Sequence, residues 1–124
     1  EALEAVRSRA EIEGIKNIEI IRGNLEKLGG SKIPDSAADV VLLHNVLFQS
    51  QKKNEILKEA HRVLKPGGFL DIIDWLPEKA SFGPQEGWRL SVEEAKKIAA
   101  EEGFDFFNNF DAGEYHFGLI FVKR

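Results

Sequence analysis

The chain of 124 residues contains no cysteine and no methionine. Without cysteine it can build neither a disulfide framework nor a thiolate metal site, and its three histidines lack ligand spacing, so no metal is expected. No apolar run is long enough to span a bilayer and no segment resembles a signal peptide, so the expectation is a cytoplasmic domain with no membrane partner. Basic charge is also short. Seventeen Lys and Arg against 21 Asp and Glu leave a net charge of −4, whereas nonspecific nucleic-acid binding needs a basic face. No nucleic-acid partner is expected, and a small-molecule or protein partner is favoured. There is no low-complexity linker and no internal repeat, so residues 1–124 are read as one domain. The chain begins at Glu1 rather than at a methionine, as a fragment or a processed product does.

Apolar residues make up 43% of the sequence and include nine Phe, enough for a real core. The most informative stretch is Ala38 to Leu76. Val40 to Leu43 is a continuous apolar run of the kind buried on both faces of a parallel sheet, and polarity returns at His44-Asn45. From Asn54 to Leu64, residues Ile56, Leu57, Ala60, Val63 and Leu64 fall on one helical stripe, which assigns Lys52, Lys53, Glu55, Lys58, Glu59 and Arg62 to the solvent side. Pro66 ends the helix, and Gly67-Gly68 let the chain turn into a strand over Phe69 to Ile73. A strand, helix and strand of this length form a parallel crossover.

Elsewhere, Leu3, Val6 and Ala10 mark a short helix that Gly14 ends before a strand over Ile18 to Ile21. The stretch from Gly29 to Ser36 reads as a surface loop. The irregular segment Pro77 to Arg89 has the character of a segment that covers an active site. Ser91-Val92-Glu93-Glu94 is a capping box opening a helix that turns Ala95, Ile98 and Ala99 inward and stops at Gly103. Phe104 to Phe110 and Tyr115 to Lys123 then pair as a hairpin.

Asp39-Val40-Val41, the polar strand end His44-Asn45, the run Arg62-Val63-Leu64-Lys65-Pro66-Gly67-Gly68 and the following Ile72-Ile73-Asp74-Trp75 together resemble the class I S-adenosylmethionine-dependent methyltransferases. The resemblance extends to Ile18 to Asn24 as the third strand and its exit loop, and to the closing hairpin. It implies an α/β fold: a Rossmann-like methyltransferase sheet, mostly parallel with an antiparallel C-terminal hairpin, whose N-terminal strands are missing. The glycine-rich loop and the ribose-binding acid of the family have no counterpart in the sequence, so the chain resembles the C-terminal two thirds of such a domain.

The resemblance implies S-adenosylmethionine as cofactor and places its contacts at Gly23, Asn24, Leu25, His44, Asn45 and Val46. Asn24 stands where many relatives carry an acid that receives the adenine amino group; an Asn-turn after a strand is an equal reading of the same residue. His44-Asn45-Val46 ends a strand at the carboxyl edge where open α/β sheets bind ligands, and a satisfied strand-end histidine is the competing reading of His44. Phe48, Asp74 and Trp75 are placed at the acceptor, although a Trp there also serves as a core plug. Asp71, mid-strand, needs a partner, water or a wet face. His61 is read as solvated, and Tyr115 and His116 as packing residues.

In the family's sheet order the first strand lies beside the fourth. Its absence leaves Val40 to Leu43 as an apolar edge, and if the 124 residues are the whole molecule, self-association through exposed strand edges is expected. The alternative to a methyltransferase is therefore a noncatalytic α/β fragment that oligomerises. A nicotinamide-dependent enzyme ranks third, since its fingerprint glycines are absent too.

Overall fold

The computed structural model describes residues 2–76 and 90–124. Helix α1 spans Ala2–Ile12, strand β1 Ala38–His44, a short 3-10 turn Leu47–Gln49, helix α2 Lys53–Val63 and strand β2 Leu64–Trp75. Helix α3, Val92–Glu101, and the strands β3, Phe104–Asp111, and β4, His116–Lys123, complete the order. The four strands form one sheet in the order β1-β2-β4-β3. β1 and β2 run parallel across the α2 crossover, while β4 is antiparallel to both β2 and β3.

The α2 stripe behaves as its spacing dictates. Ile56, Leu57, Ala60 and Val63 are buried against the inner face of the sheet, with Leu43, Leu70, Ile72, Leu119 and Phe121. Helix α3 starts where the capping box puts it: Ser91 Oγ accepts from the Glu94 amide at 3.0 Å, and Ala95, Ile98 and Ala99 are buried. The Lys-Pro-Gly-Gly turn lies within the β1–β2 ladder rather than before it. Pairing passes from Ala38↔Leu64 directly to Val40↔Phe69, so the turn bulges out of β2, with Gly67 at φ +77°, a left-handed conformation that glycine adopts without steric cost.

Several expectations are corrected. Ile18 to Ile21 is not a strand of this sheet, and Ile18 and Ile21 are 47% and 39% exposed. An extended segment becomes a strand only when a neighbour offers its edge, and no described strand does so here. Nor is β1 buried on both faces. Leu43 is buried, but Val40 and Leu42 are 53% and 57% exposed, because β1 is an edge strand and the outer face of the sheet is thinly covered among the described residues. The same asymmetry accounts for Asp71. It lies half-buried between Leu42 and Ile120 on that outer face, and desolvation raises its pKa.

Glu59 and Arg62 are not on the solvent side. The Glu59 side chain is 2% exposed and that of Arg62 18%, because the loop over residues 29–35 folds across them. His61 is only partly solvated: its ring packs edge-on against Phe104 at 5.3 Å, and burial lowers its pKa. The reading of Pro77 to Arg89 as an active-site cover falls outside the described residues.

Candidate functional site

The carboxyl ends of the two parallel strands and the start of β4 meet at one edge of the sheet. His44 pairs with Ile73, and Trp75 pairs with His116, which sets His44, Asn45, Asp74, Trp75 and His116 on adjoining strand ends. Asn45 has φ +57°, a left-handed conformation that Asn tolerates better than most residues, and its amide donates to Ile73 O at 2.8 Å. β1 thereby breaks off sharply and sends Val46 and the 3-10 turn over the strand ends. The Asn45 Oδ1 atom is buried and has no hydrogen-bond partner.

Asp74 is fully buried on the inner side of this edge. Its Oδ1 accepts from the Trp75 amide at 2.8 Å, its Oδ2 from the Phe48 amide at 3.3 Å, and the Leu47 amide bonds to it as well. Desolvation raises its pKa, and these three amides and the nearby His116 oppose the shift. The carboxylate thus fastens the loop after β1 to the end of β2. Of the expected acceptor residues, Phe48 and Asp74 are therefore in direct contact, while Trp75 turns to the other side and packs on His116 with ring centroids 4.3 Å apart. His44 meets the same His116 ring edge-on at 6.0 Å.

Gly23-Asn24-Leu25, which the resemblance assigns to the cofactor, lies in a tightly turned loop. The Asn24 amide donates to Gly30 O at 2.9 Å, and Asn24 Oδ1 accepts from the Glu26 amide at 2.9 Å, closing an Asx-turn. Its first hydrogen bond is thus the local turn, and the second lone pair of Oδ1 is what a ligand would engage. The backbone crosses itself closely here: a Cβ on Gly30 would lie 2.0 Å from Asn24 O, and one on Gly23 would lie 2.4 Å from Gly30 O. Leu25 lines an apolar hollow of about 150 Å³ with Val41, Leu43, Ile56 and Ala60, beneath the loop. Ser50 Oγ donates to Glu26 Oε2 at 2.5 Å, which joins this loop to the one that follows β1.

The groups that hold the arrangement were not evident in the sequence. Glu59 accepts from the Gly29 amide at 2.7 Å, the Ser31 amide at 3.0 Å, Ser31 Oγ at 2.5 Å and two nitrogens of Arg62 at 2.9 and 2.7 Å. Arg62, four-fifths buried, also donates to Ile33 O at 2.6 Å and to Asp35 at 2.5 Å. The Arg62 guanidinium, with Ser31 and the two amides, holds the Glu59 carboxyl far below the usual carboxylate range against the opposing effect of desolvation. One signal was available: Glu59 lies three residues after Ile56 and four before Val63, on the flank of the apolar stripe.

Parallel strands joined by a helix, an antiparallel closing hairpin, and polar groups gathered at the carboxyl edge define a Rossmann-like α/β domain, an architecture that binds ligands at its strand ends. The model of the methyltransferase domain family matches residues 1–72, and the chain belongs to that family. It is 37% identical over 65 residues to an arsenite methyltransferase of Aquipseudomonas alcaligenes, covering 52% of this chain and 19% of that protein. It is 35% identical over 98 residues to the human arsenite methyltransferase, covering 71% of this chain and 26% of that protein. The chain thus spans about a fifth to a quarter of the curated relatives it matches. Among solved structures, a SAM-dependent methyltransferase from Aquifex aeolicus superposes with a TM-score of 0.87 at 24% identity, over 98% of this chain and 63% of the other. The trans-methyltransferase CalH in complex with SAH gives a TM-score of 0.76 at 19% identity, over 94% of this chain and 39% of the other. These two likenesses establish the fold.

S-adenosylmethionine is the cofactor of this family, and the strand-end residues suit it. The buried Oδ1 of Asn45 is an acceptor without a donor, and the cofactor carries an α-amino group and ribose hydroxyls that donate. Among the described residues no group of three His, Asp or Glu is arranged to hold a metal, and no helix is long and apolar enough to cross a membrane.

Proposed function

We propose that this domain binds S-adenosylmethionine along the β1 end and the Gly23 to Leu25 loop, and serves methyl transfer to a small-molecule or protein acceptor at the ends of β2 and β4. The observation that carries the reading is the unpartnered Asn45 Oδ1 at the carboxyl edge of a chain that belongs to the methyltransferase domain family. The cofactor supplies an activated methyl on a sulfonium sulfur, so the protein's task is positioning and exclusion of water. Asn45, Val46 and His44 hold its methionine and ribose parts, and Asn24 and the Leu25 amide hold the adenine. Asp74 keeps Phe48 and the turn before it in place. A cytoplasmic location fits this chemistry.

Calorimetry with S-adenosylhomocysteine tests the reading. Saturable one-site heat from the folded chain is the expected result, with Asn45→Ala lowering affinity about tenfold, the scale of one hydrogen bond to a buried partner. A folded chain that gives no heat would refute cofactor binding by these residues.

The second reading, self-association through strand edges, has its own observation: Val40 and Leu42 are exposed on β1, which is an edge strand among the described residues. On this reading light scattering at tens of micromolar gives a mass above the 13.9 kDa of one chain, and Leu42→Lys returns it to that mass. A monomer at that concentration would rule the association out.

A further inference from the structure

His116 was expected mainly to pack. It sits at the first residue of β4, paired with Trp75, and its ring lies between Trp75 at 4.3 Å and His44 at 6.0 Å. Its Nε2 is buried and has no hydrogen-bond partner. An imidazole nitrogen shut away from water without a partner costs stability, and such a cost persists where a ligand removes it. The second buried orphan, Asn45 Oδ1, follows the end of β1, on the far side of β2 from His116. The two orphans are different in kind. The amide oxygen only accepts, whereas a neutral imidazole nitrogen accepts and can keep a proton.

We propose that His116 Nε2 takes the proton of a hydroxyl- or amine-bearing acceptor as its heteroatom gains the methyl group. This rests on the methyl-transfer reading above. The acceptor's X–H bond breaks and its proton ends on Nε2. The lone pair of X forms the new bond to the methyl carbon, and the pair of the broken C–S bond stays on sulfur, so a neutral acceptor leaves as a neutral methyl ether or amine. No oxidant or further reactant enters. The surroundings suit the task. Trp75 packs against the ring at a 36° tilt and His44 meets it edge-on, so two neighbours limit how the imidazole can turn. Tyr115 is the neighbouring titratable group on β4's approach.

Phenol and anisole are suitable probes, because they share a ring and differ in the proton on oxygen. In the full chain, with and without saturating S-adenosylhomocysteine, phenol is expected to bind about tenfold more tightly than anisole, one good hydrogen bond's worth, and to shift the His116 Nε2 nitrogen resonance. His116→Phe keeps a ring against Trp75 while removing both nitrogens. Its expected phenol preference falls to about one, while its S-adenosylhomocysteine affinity stays within about twofold of the unaltered chain. The absence of binding by either probe, equal binding of the two, or a preference that survives His116→Phe would overturn the proposal. A phenol preference in a chain that gives no S-adenosylhomocysteine heat would instead remove the methyl-transfer reading itself, so the two failures are distinguishable.

Discussion

Glu59→Ala is expected to cost about 3–5 kcal/mol of unfolding free energy, the usual consequence of breaking a buried ion pair from one side. The loss has three parts. The Gly29 and Ser31 amides lose their acceptor, the Ser31 hydroxyl loses its own, and Arg62 loses its carboxylate partner on α2 while four-fifths buried, keeping Asp35, Ile33 O and a long bond to Ser31 Oγ. Urea unfolding measures it directly, and a loss under about 1 kcal/mol would mean that the network contributes no more than an exposed pair. The pH dependence carries a sign. The Glu59 carboxyl titrates far lower in the folded chain than in the unfolded one, where 4.5 is ordinary, so its contribution is complete above that value and is lost as pH falls below it. The unaltered chain therefore loses stability on going from pH 5 into stronger acid, and Glu59→Ala lacks that portion of the decline.

Gly30→Ala is expected to disrupt the Gly23 to Ser31 loop. Its Cβ would meet Asn24 O at 2.0 Å and Lys27 O at 2.8 Å, and both are backbone atoms that no rotamer change can move aside. The backbone must open, breaking the Asn24 amide's bond to Gly30 O and the Gly30 amide's bond to Lys27 O. Overpacking of this kind costs about 1–3 kcal/mol in stability. The larger effect falls on ligand binding, because Asn24 and Leu25 are displaced together; S-adenosylhomocysteine affinity is expected to drop by about two orders of magnitude, more than one lost hydrogen bond explains. Gly29→Ala is the matched comparison. There the new Cβ has open space around it, though φ is +80°, so it adds backbone strain without the collision and is expected to retain most of the affinity. Equal losses from both substitutions would mean that strain rather than contact governs the loop.

Much of the fold was written locally. The α2 stripe, the Ser91 cap and the hairpin each depend on residues within a few positions of one another, so periodicity and capping chemistry reach them. The errors arose where a distant segment decides. Ile18 to Ile21 has strand composition but no described neighbour to pair with, and pairing is not a local property. Glu59 and Arg62 have the look of a solvated i, i+3 pair, and what buries them is a loop about thirty residues earlier. The site divides in the same way. His44, Asn45 and Asp74 were named as candidates because strand ends are legible, and the resemblance named Gly23 to Leu25. The orphaned nitrogen of His116 depends on how Trp75 and His44 close around it, which no local pattern records.

Helix α2 is tied at both ends to something other than the sheet. Asn54 near its start donates to Glu101 and Glu102 at the close of α3, and Glu59 and Arg62 near its finish grip the loop that presents Asn24. The helix therefore works as a connecting rod: one element about 16 Å long links the close of α3 to the loop that carries Asn24, the loop proposed to hold the adenine.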